Sequence, residues 1–127
     1  MQLDDFRVKL VLIYLIMAEV SALCLFDDDR CRCLIGDVRD VTRLRYAMAD
    51  VDMIMHAAAM KHVDVVEYNA FEAVKTNVLG TQHVIETAID AGVERVLLTS
   101  SDKAVDPANT MGTTKLLAEK PACELSG

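Results

Sequence analysis

The sequence predicts an open, doubly wound α/β fold in which short parallel strands alternate with helices. Three apolar runs of strand length follow one another along the chain, and segments with helical periodicity separate them. With 127 residues, 53% of them hydrophobic, the chain suffices for one globular core. In such a sheet, ligands bind beyond the carboxyl ends of the strands. Functional residues are therefore expected directly after each apolar run.

The three predicted strands are Cys33–Ile35, Val51–Met55 and Arg95–Thr99. Each is too short for a helix and is followed by polar or small residues, as is typical of buried parallel strands. The alternation of strands and helices predicts right-handed crossovers between neighbouring strands.

Helical patterns lie between these runs. Asp40 is placed to cap a helix whose apolar face comprises Leu44, Ala47 and Met48. A longer pattern ends at Gly92, which is suited to a left-handed cap, and its predicted buried face comprises Val74, Val78, Ile85, Ala88 and Ile89.

Charge and cysteine content exclude several functions. A net charge of −7 argues against binding to nucleic acid, because that affinity depends on Lys and Arg displacing counterions. The four cysteines show no zinc-like spacing, so we predict no metal site and free thiols in a reducing cytoplasm.

The most apolar stretch, from Val8 to Phe26, is interrupted by Lys9 and Glu19, so no membrane span is expected. A secretory signal cleaved after Ala22 is the alternative. Acidic residues near the N-terminus disfavour it, since such signals begin with basic residues.

The first strand is followed by Gly36–Asp40. The carboxylate of Asp37 is placed to accept a hydrogen bond from an adenine amino group while the neighbouring backbone, at Val38, reads the ring edge. A turn or a helix-entry cap explains Asp37 equally well.

The second strand is followed by His56 and the small residues Ala57, Ala58 and Ala59. Small side chains let a backbone pass close to a flat cofactor, although three alanines also suit simple packing. Lys61 and His62 come next and offer donors to a pyrophosphate or sugar oxygen, with surface solvation as the alternative.

The third strand is followed by Ser101, Asp102 and Lys103, which deliver a hydroxyl, a carboxylate and an amine together. Neighbouring Asp and Lys perturb each other's pKa if the pair is partly buried, which favours proton transfer. Lys115 lies four residues after Met111 and shares one helix face with it, where a solvated face is the alternative.

Four segments, taken in order, resemble nucleotide-sugar 4,6-dehydratases of the polysaccharide-biosynthesis (CapD-like) branch of extended short-chain dehydrogenases. They are Gly36–Asp40, His56–Val63, Glu67–Thr81, and Ser101–Pro107 with Met111–Lys115. The resemblance covers about residues 31–120 and implies a partial Rossmann-like sheet.

The resemblance also implies a cytoplasmic enzyme that uses NAD or NADP and a UDP-sugar, and that is a homo-oligomer in the intact family. The implied reaction is oxidation at C4, elimination of water across C5 and C6, and return of hydride to C6.

Residue roles follow from the matching positions. Lys103 would remove the C5 proton, Asp102 would protonate the leaving C6 hydroxyl, and Ser101 would place its hydroxyl near C4. Lys115 would hold the nicotinamide ribose, and Asn77 would support the active-site geometry.

The same positions give the binding residues. A cofactor site is implied at Asp37, Val38, His56, Ala57 and Ala58, and Lys61 and His62 would face substrate.

The sequence departs from the superfamily pattern in two respects. Met111 stands where most members carry a catalytic tyrosine, and a thioether cannot act as a base, so Asp102 would carry two proton transfers. The glycines are Gly36, Gly80, Gly92, Gly112 and Gly127, too widely spaced for the Gly-rich turn that binds the cofactor pyrophosphate.

Because the glycines form no such turn, the first Gly-rich βα unit is expected to be absent. The C-terminal substrate region of the family is also expected to be absent, since the resemblance extends only to about residue 120. We predict an unmatched apolar segment over residues 1–30 and a partial cofactor-binding domain over 31–127. The alternatives are a nucleotide-sugar 4-epimerase and a non-catalytic interaction module that pairs through open sheet edges.

Overall fold

The computed structural model describes residues 10–14 and 31–125. In this part of the chain, four parallel strands form one sheet in the order β2-β1-β3-β4. The strands are β1 (Leu10–Tyr14), β2 (Cys31–Ile35), β3 (Met53–His56) and β4 (Arg95–Leu98). Their carboxyl ends therefore meet at one edge of the sheet, as the α/β interpretation requires.

The three predicted strands are confirmed as β2, β3 and β4, with shifts of two residues at most at their ends. The sequence pattern of residues 1–30 predicts no strand, and β1 corrects this. β1 pairs with β2 over its whole length and with β3 at Leu10. A central parallel strand is a continuous apolar run without period, so it could not be distinguished within the stretch from Val8 to Phe26.

The rest of the segment up to residue 30, including the alternative cleavage site after Ala22, lies outside the described residues. The domain boundary after residue 30 stays a prediction.

Helix α1 (Val41–Met48) begins as the sequence predicts. The Asp40 carboxylate accepts a hydrogen bond from the backbone N–H of Arg43 at 3.0 Å, which satisfies an amide that the helix leaves free. The predicted face of Leu44, Ala47 and Met48 is buried. Local capping and periodicity were sufficient to identify this helix.

The segment between β3 and β4 contains four helical elements where the sequence pattern predicts a single long helix. It contains α2 (Val63–Tyr68), α3 (Ala70–Ala73), a π-helical segment (Val74–Leu79) and α4 (Gly80–Asp90).

The predicted buried face of that helix is only partly correct, because Ile85 and Ala88 are buried but Ile89 is 58% exposed. Ile89 lies in the last turn of α4, next to the exposed residues Asp90 and Ala91, so its side chain is beyond the edge of the core. Gly92 has φ of 73°, which confirms the predicted left-handed cap.

The main core lies between the sheet and the helices α1 and α4. Its buried members are Val38, Leu44, Ala47, Met48, Val51, Ile54, Val84 and Ala88. Gly80 allows α4 to approach the end of β2 closely, since a Cβ there would lie 2.6 Å from Cγ2 of Val38. This packing holds the segment after β2 against the helix that follows β3.

The chain continues from β4 through a 3₁₀ helix (Asp102–Ala104) into α5 (Thr110–Leu125), which contains the helix face predicted for Met111 and Lys115. No helix in residues 10–14 and 31–125 combines the length and apolar character needed to cross a membrane.

Candidate active site at the carboxyl edge of the sheet

The sheet topology brings the three predicted functional segments to one edge. They follow β2 at Gly36, β3 at Ala57 and β4 at Thr99. From β1 the chain goes to β2 on one side, and β3 then lies on the other side of β1. This reversal is a topological switch point, where open α/β sheets bind ligands.

Asp37 is held by Arg39. Both carboxylate oxygens accept hydrogen bonds from the Arg39 guanidinium, at 2.6 to 3.1 Å, and Oδ1 also accepts from the Arg39 backbone N–H. These hydrogen bonds lower the pKa of Asp37, so the carboxylate is ionised at neutral pH. The backbone carbonyl of Asp37 accepts from Asp40, which gives the turn that the sequence allowed.

The two binding roles predicted for this segment stay predictions. An adenine amino group would share the Asp37 carboxylate with Arg39. Val38 has its side chain in the core at 1% exposure, so it can serve a ligand only through its backbone.

His56 ends β3 and is tied to α4 by a buried hydrogen bond. Its Nε2 lies 2.9 Å from Oγ1 of Thr81, whose hydroxyl donates to the backbone carbonyl of Asn77 at 2.7 Å. Because Thr81 has a single hydroxyl proton, Nε2 of His56 must carry the proton in its bond with Thr81. The arrangement therefore selects the neutral Nε2–H tautomer.

Burial of His56, aided by the nearby positive charge of Lys115, lowers its pKa to about 4. In the unfolded chain the ring titrates near 6.5, so between pH 6.5 and 4 the unfolded state binds more protons. The free energy of unfolding is therefore expected to fall as the pH drops through this window, by up to about 3 kcal/mol.

Urea denaturation at a series of pH values checks this expectation. His56→Gln keeps an amide donor for Thr81 and should flatten the pH dependence, whereas His62→Gln, at an exposed position, should leave it unchanged. Equal slopes for the original chain and His56→Gln would contradict the assignment.

Asn77 continues the network from the π-helical segment. Its Oδ1 accepts from the backbone N–H of Met60 at 2.8 Å, and its Nδ2 donates to the Met60 carbonyl at 3.2 Å and to Oγ1 of Thr114 at 2.9 Å. Thr114 donates in turn to the backbone carbonyl of Met111. One buried amide thus joins the loop after β3 to α5. The role of Asn77 in supporting the active-site geometry stays a prediction.

The loop after β3 carries the predicted small residues and the Lys-His pair. Ala58 is half-buried, and Ala57 is exposed. Lys61 and His62 are both exposed, and His62 immediately precedes α2. Their access to solvent suits either surface solvation or contact with a substrate.

The segment after β4 presents Ser101 and Asp102 to an open cavity of about 730 Å³. The Ser101 hydroxyl donates to Asp102 at 3.1 Å and accepts from the backbone N–H of Lys103 at 3.2 Å. Asp102 and Lys103 are both exposed, so the partial burial expected to perturb the pair is not observed.

Helix α5 packs tightly against this segment at Gly112. A Cβ at Gly112 would clash with the backbone carbonyl of Lys103 and would lie 3.1 Å from Cβ of Pro107. Only glycine lets the first turn of α5 approach the 3₁₀ helix this closely, so Gly112 helps to fix where Lys103 lies.

Gly112→Ala is expected to destabilise the fold by about 1–3 kcal/mol through this clash, although alanine normally stabilises a helix relative to glycine. Urea denaturation measures the change. Thr113→Ala, at the exposed neighbouring position, is the control and should change stability by no more than about 0.5 kcal/mol. A Gly112→Ala chain as stable as the original would contradict the close packing.

Lys115 points from α5 to the end of β4, where its Nζ donates to the backbone carbonyl of Thr99 at 3.1 Å. Burial lowers the pKa of Lys115, and the negative charge of Glu119 acts in the opposite direction. An ammonium group has three N–H donors, so two remain for a ligand.

Met111 does not face the cavity beside Asp102. It is 3% exposed and forms a buried apolar cluster with Val66 and Ala73, against which Met60 and Val63 pack. Met111, at the position where most of the superfamily carries a catalytic tyrosine, therefore has a side chain that packs in the interior, and a thioether cannot act as a base.

Sequence reasoning missed three polar residues, namely Thr81, Thr114 and Glu119. Thr81 and Thr114 are buried and complete the network around Asn77, and Glu119 accepts a hydrogen bond from Ser100. A threonine on an otherwise apolar helix face was the available signal for the first two.

Comparison with known proteins agrees with this architecture. The sequence profile of the polysaccharide biosynthesis protein family matches residues 12–126. The match includes β2 to β4 and the helices between them.

Three relatives illustrate the range of similarity. An uncharacterized membrane protein of Methanocaldococcus jannaschii is 58% identical over 74% of this chain and 28% of its own length. A UDP-N-acetylglucosamine 4,6-dehydratase (inverting) of Campylobacter jejuni is 44% identical over 93% of this chain and 36% of its own. A UDP-glucose 4-epimerase of Rickettsia massiliae is 45% identical over 76% of this chain and 28% of its own length.

A solved structure shares the fold. The dTDP-glucose 4,6-dehydratase DesIV of Streptomyces venezuelae, determined with NAD bound, superposes with a TM-score of 0.72 and is 32% identical. The similarity covers 79% of this chain and 35% of DesIV. The chain spans about a third of the length of the relatives it matches.

The matching sequence profile identifies the family of this chain. Because the profile covers well over half of the sequence, the chain belongs to the polysaccharide biosynthesis protein family, whose relatives here include nucleotide-sugar dehydratases and epimerases.

Proposed function

We propose that this chain carries the proton-transfer residues and part of the cofactor site of a UDP-N-acetylglucosamine 4,6-dehydratase that uses NAD or NADP. The observation that carries the proposal is that Ser101 and Asp102 line an open cavity at the carboxyl end of β4, with Lys103 next to them on the same short turn. The 44% identity to the Campylobacter dehydratase supports it.

The residues present fit the nicotinamide-ribose end of the cofactor. Lys115 offers two unused N–H donors beside the end of β4, which suits ribose hydroxyls. Ala57 is exposed and Ala58 is half-buried, and their small side chains would let a flat group lie beside β3. His56 stays neutral there above about pH 4. Lys115, Ala57 and Ala58 would hold this end of the cofactor, which would supply reversible hydride transfer for the sugar.

The chain's own residues would manage the protons. Lys103 would take the C5 proton, which the neighbouring C4 ketone makes acidic. Asp102 would take the proton of the C4 hydroxyl when C4 is oxidised, and would then give that proton to the C6 hydroxyl so that it leaves as water. The hydrogen bond from Ser101 to Asp102 orients that carboxyl group in the free chain.

Substrate contacts and assembly belong to the same proposal. Lys61 and His62 would bind oxygens of the UDP-sugar from the exposed loop before α2. The homo-oligomeric state and cytoplasmic location expected from the sequence remain predictions.

A second candidate is sugar 4-epimerisation. The observation that favours it is the 45% identity to a UDP-glucose 4-epimerase. Epimerisation needs oxidation and reduction at C4 alone, so the Asp102-Lys103 pair would have no elimination to perform. The presence of this pair favours dehydration.

The test uses the purified chain with UDP-N-acetylglucosamine and NAD or NADP. Formation of a 4-keto product, seen as absorbance in alkali, is the expected result. An epimer without ketone would replace the proposal with the second candidate. Neither product, with no cofactor retained on purification, would overturn it in favour of a non-catalytic interaction module.

A further inference from the structure

Helix α5 contacts the segment after β4 at three successive points. Gly112 packs against the backbone of Lys103, and Lys115 donates to the carbonyl of Thr99. Glu119 adds the third contact, because its carboxylate accepts a hydrogen bond from the hydroxyl of Ser100. Two side chains one helical turn apart thus hold two consecutive residues at the end of β4.

Glu119 also belongs to the cavity beside this segment. It lines the same space of about 730 Å³ as Ser100, Ser101 and Asp102, and it is half-buried. Its negative charge acts on Lys115, whose ammonium is otherwise disfavoured by burial. The neighbouring titratable group on β3 is His56, which is neutral at pH 7.

Helix stability alone does not explain Glu119. A glutamate four residues after a lysine is the less favourable order for an ion pair on a helix surface. A glutamate that serves only the helix surface would also have no reason to bind the hydroxyl of Ser100. The role of Glu119 is therefore inferred from its hydrogen bond with Ser100.

We propose that Glu119 is a positioning residue that fixes Ser100, and through it the turn of Ser101 and Asp102, while providing the counter-charge for Lys115. The link to catalysis rests on the proposed function, since it assumes that Asp102 transfers protons. The positioning itself does not.

Three variants separate the two roles. Glu119→Gln keeps an oxygen acceptor for Ser100 but removes the charge, Ser100→Ala removes the hydrogen bond but keeps the charge, and Glu119→Ala removes both. Glu86→Gln, at an exposed position on α4, is the matched control for the loss of one charge.

Amide hydrogen exchange reports the position of the turn. The amides of Lys103 and Ala104 both donate to Ser101, so their protection depends on the turn staying formed. We expect exchange at these two amides to be roughly tenfold faster in Ser100→Ala and Glu119→Ala, the effect of losing one charge-assisted hydrogen bond. Glu119→Gln keeps a weaker, uncharged hydrogen bond and should show a smaller increase, and the control should stay close to the original chain.

The titration of Lys115, followed by NMR of its side chain, reports the effect of the negative charge of Glu119. Glu119→Gln should lower the pKa of Lys115, whereas Ser100→Ala and Glu86→Gln should leave it unchanged. A combined Ser100→Ala and Glu119→Ala chain should exchange no faster at the turn than Glu119→Ala alone, because both changes remove one interaction.

Unchanged exchange in Ser100→Ala, or an unchanged Lys115 pKa in Glu119→Gln, would overturn the proposal. Both variants are conservative and should fold, as circular dichroism will show. Since neither readout needs substrate, failure here is distinct from failure to form the 4-keto sugar.

Discussion

Replacement of Lys103 by alanine is expected to lower formation of the 4-keto-6-deoxy sugar about 10²–10⁴-fold, the usual contribution of one general base. The proposed reaction begins its elimination with loss of the C5 proton, and alanine has no group that can accept it. Cofactor binding should be unaffected, because Lys103 is exposed on the turn after β4 and Lys115 is the residue proposed to hold the ribose.

The measurement is turnover together with exchange of the C5 proton in deuterated solvent. Lys120→Ala removes an exposed lysine from the far part of α5 and serves as the control, with normal turnover expected. Normal C5 exchange in Lys103→Ala would remove this lysine from the mechanism.

Met111→Ala should lower the stability of the fold and leave turnover by the folded protein nearly unchanged. The side chain fills a buried cluster with Val66 and Ala73, so truncation should lower the free energy of unfolding by about 2–5 kcal/mol. Turnover of the remaining folded protein should change little, since a thioether transfers no proton.

Urea denaturation gives the stability, and turnover is normalised to the folded fraction. Leu117→Ala, on the half-exposed side of the same helix, is the control and should cost less than Met111→Ala. A collapse in turnover with folding intact would show that Met111 contributes to the reaction.

Local signals predicted much of the fold. Asp40 and the face of Leu44, Ala47 and Met48 identified α1, and Gly92 marked the end of α4. These features depend on residues within a turn or two of one another, which a single sequence displays directly.

The features that could not be predicted depend on distant partners. Asn77 bonds to Met60 and Thr114, which lie 17 and 37 positions away in the chain. The π-helical segment has no composition signal, and β1 is one part of a longer apolar run. Each of these is decided by tertiary packing.

The candidate site shows the same division. The sequence placed Ser101, Asp102 and Lys103 correctly after a strand, since strand ends follow from local pattern. It could not show that Arg39 binds both carboxylate oxygens of Asp37, because that requires the geometry of the turn.

The most direct test of a shared site is an amide NMR titration of the chain with NAD and then with UDP-N-acetylglucosamine. We expect NAD to shift the amides after β2, β3 and β4, around Asp37, Ala58 and Thr99, and the sugar nucleotide then to shift those of Ser101 to Lys103. Shifts confined to the opposite edge of the sheet, or no shift at saturating NAD, would contradict a shared site at the carboxyl ends of the strands.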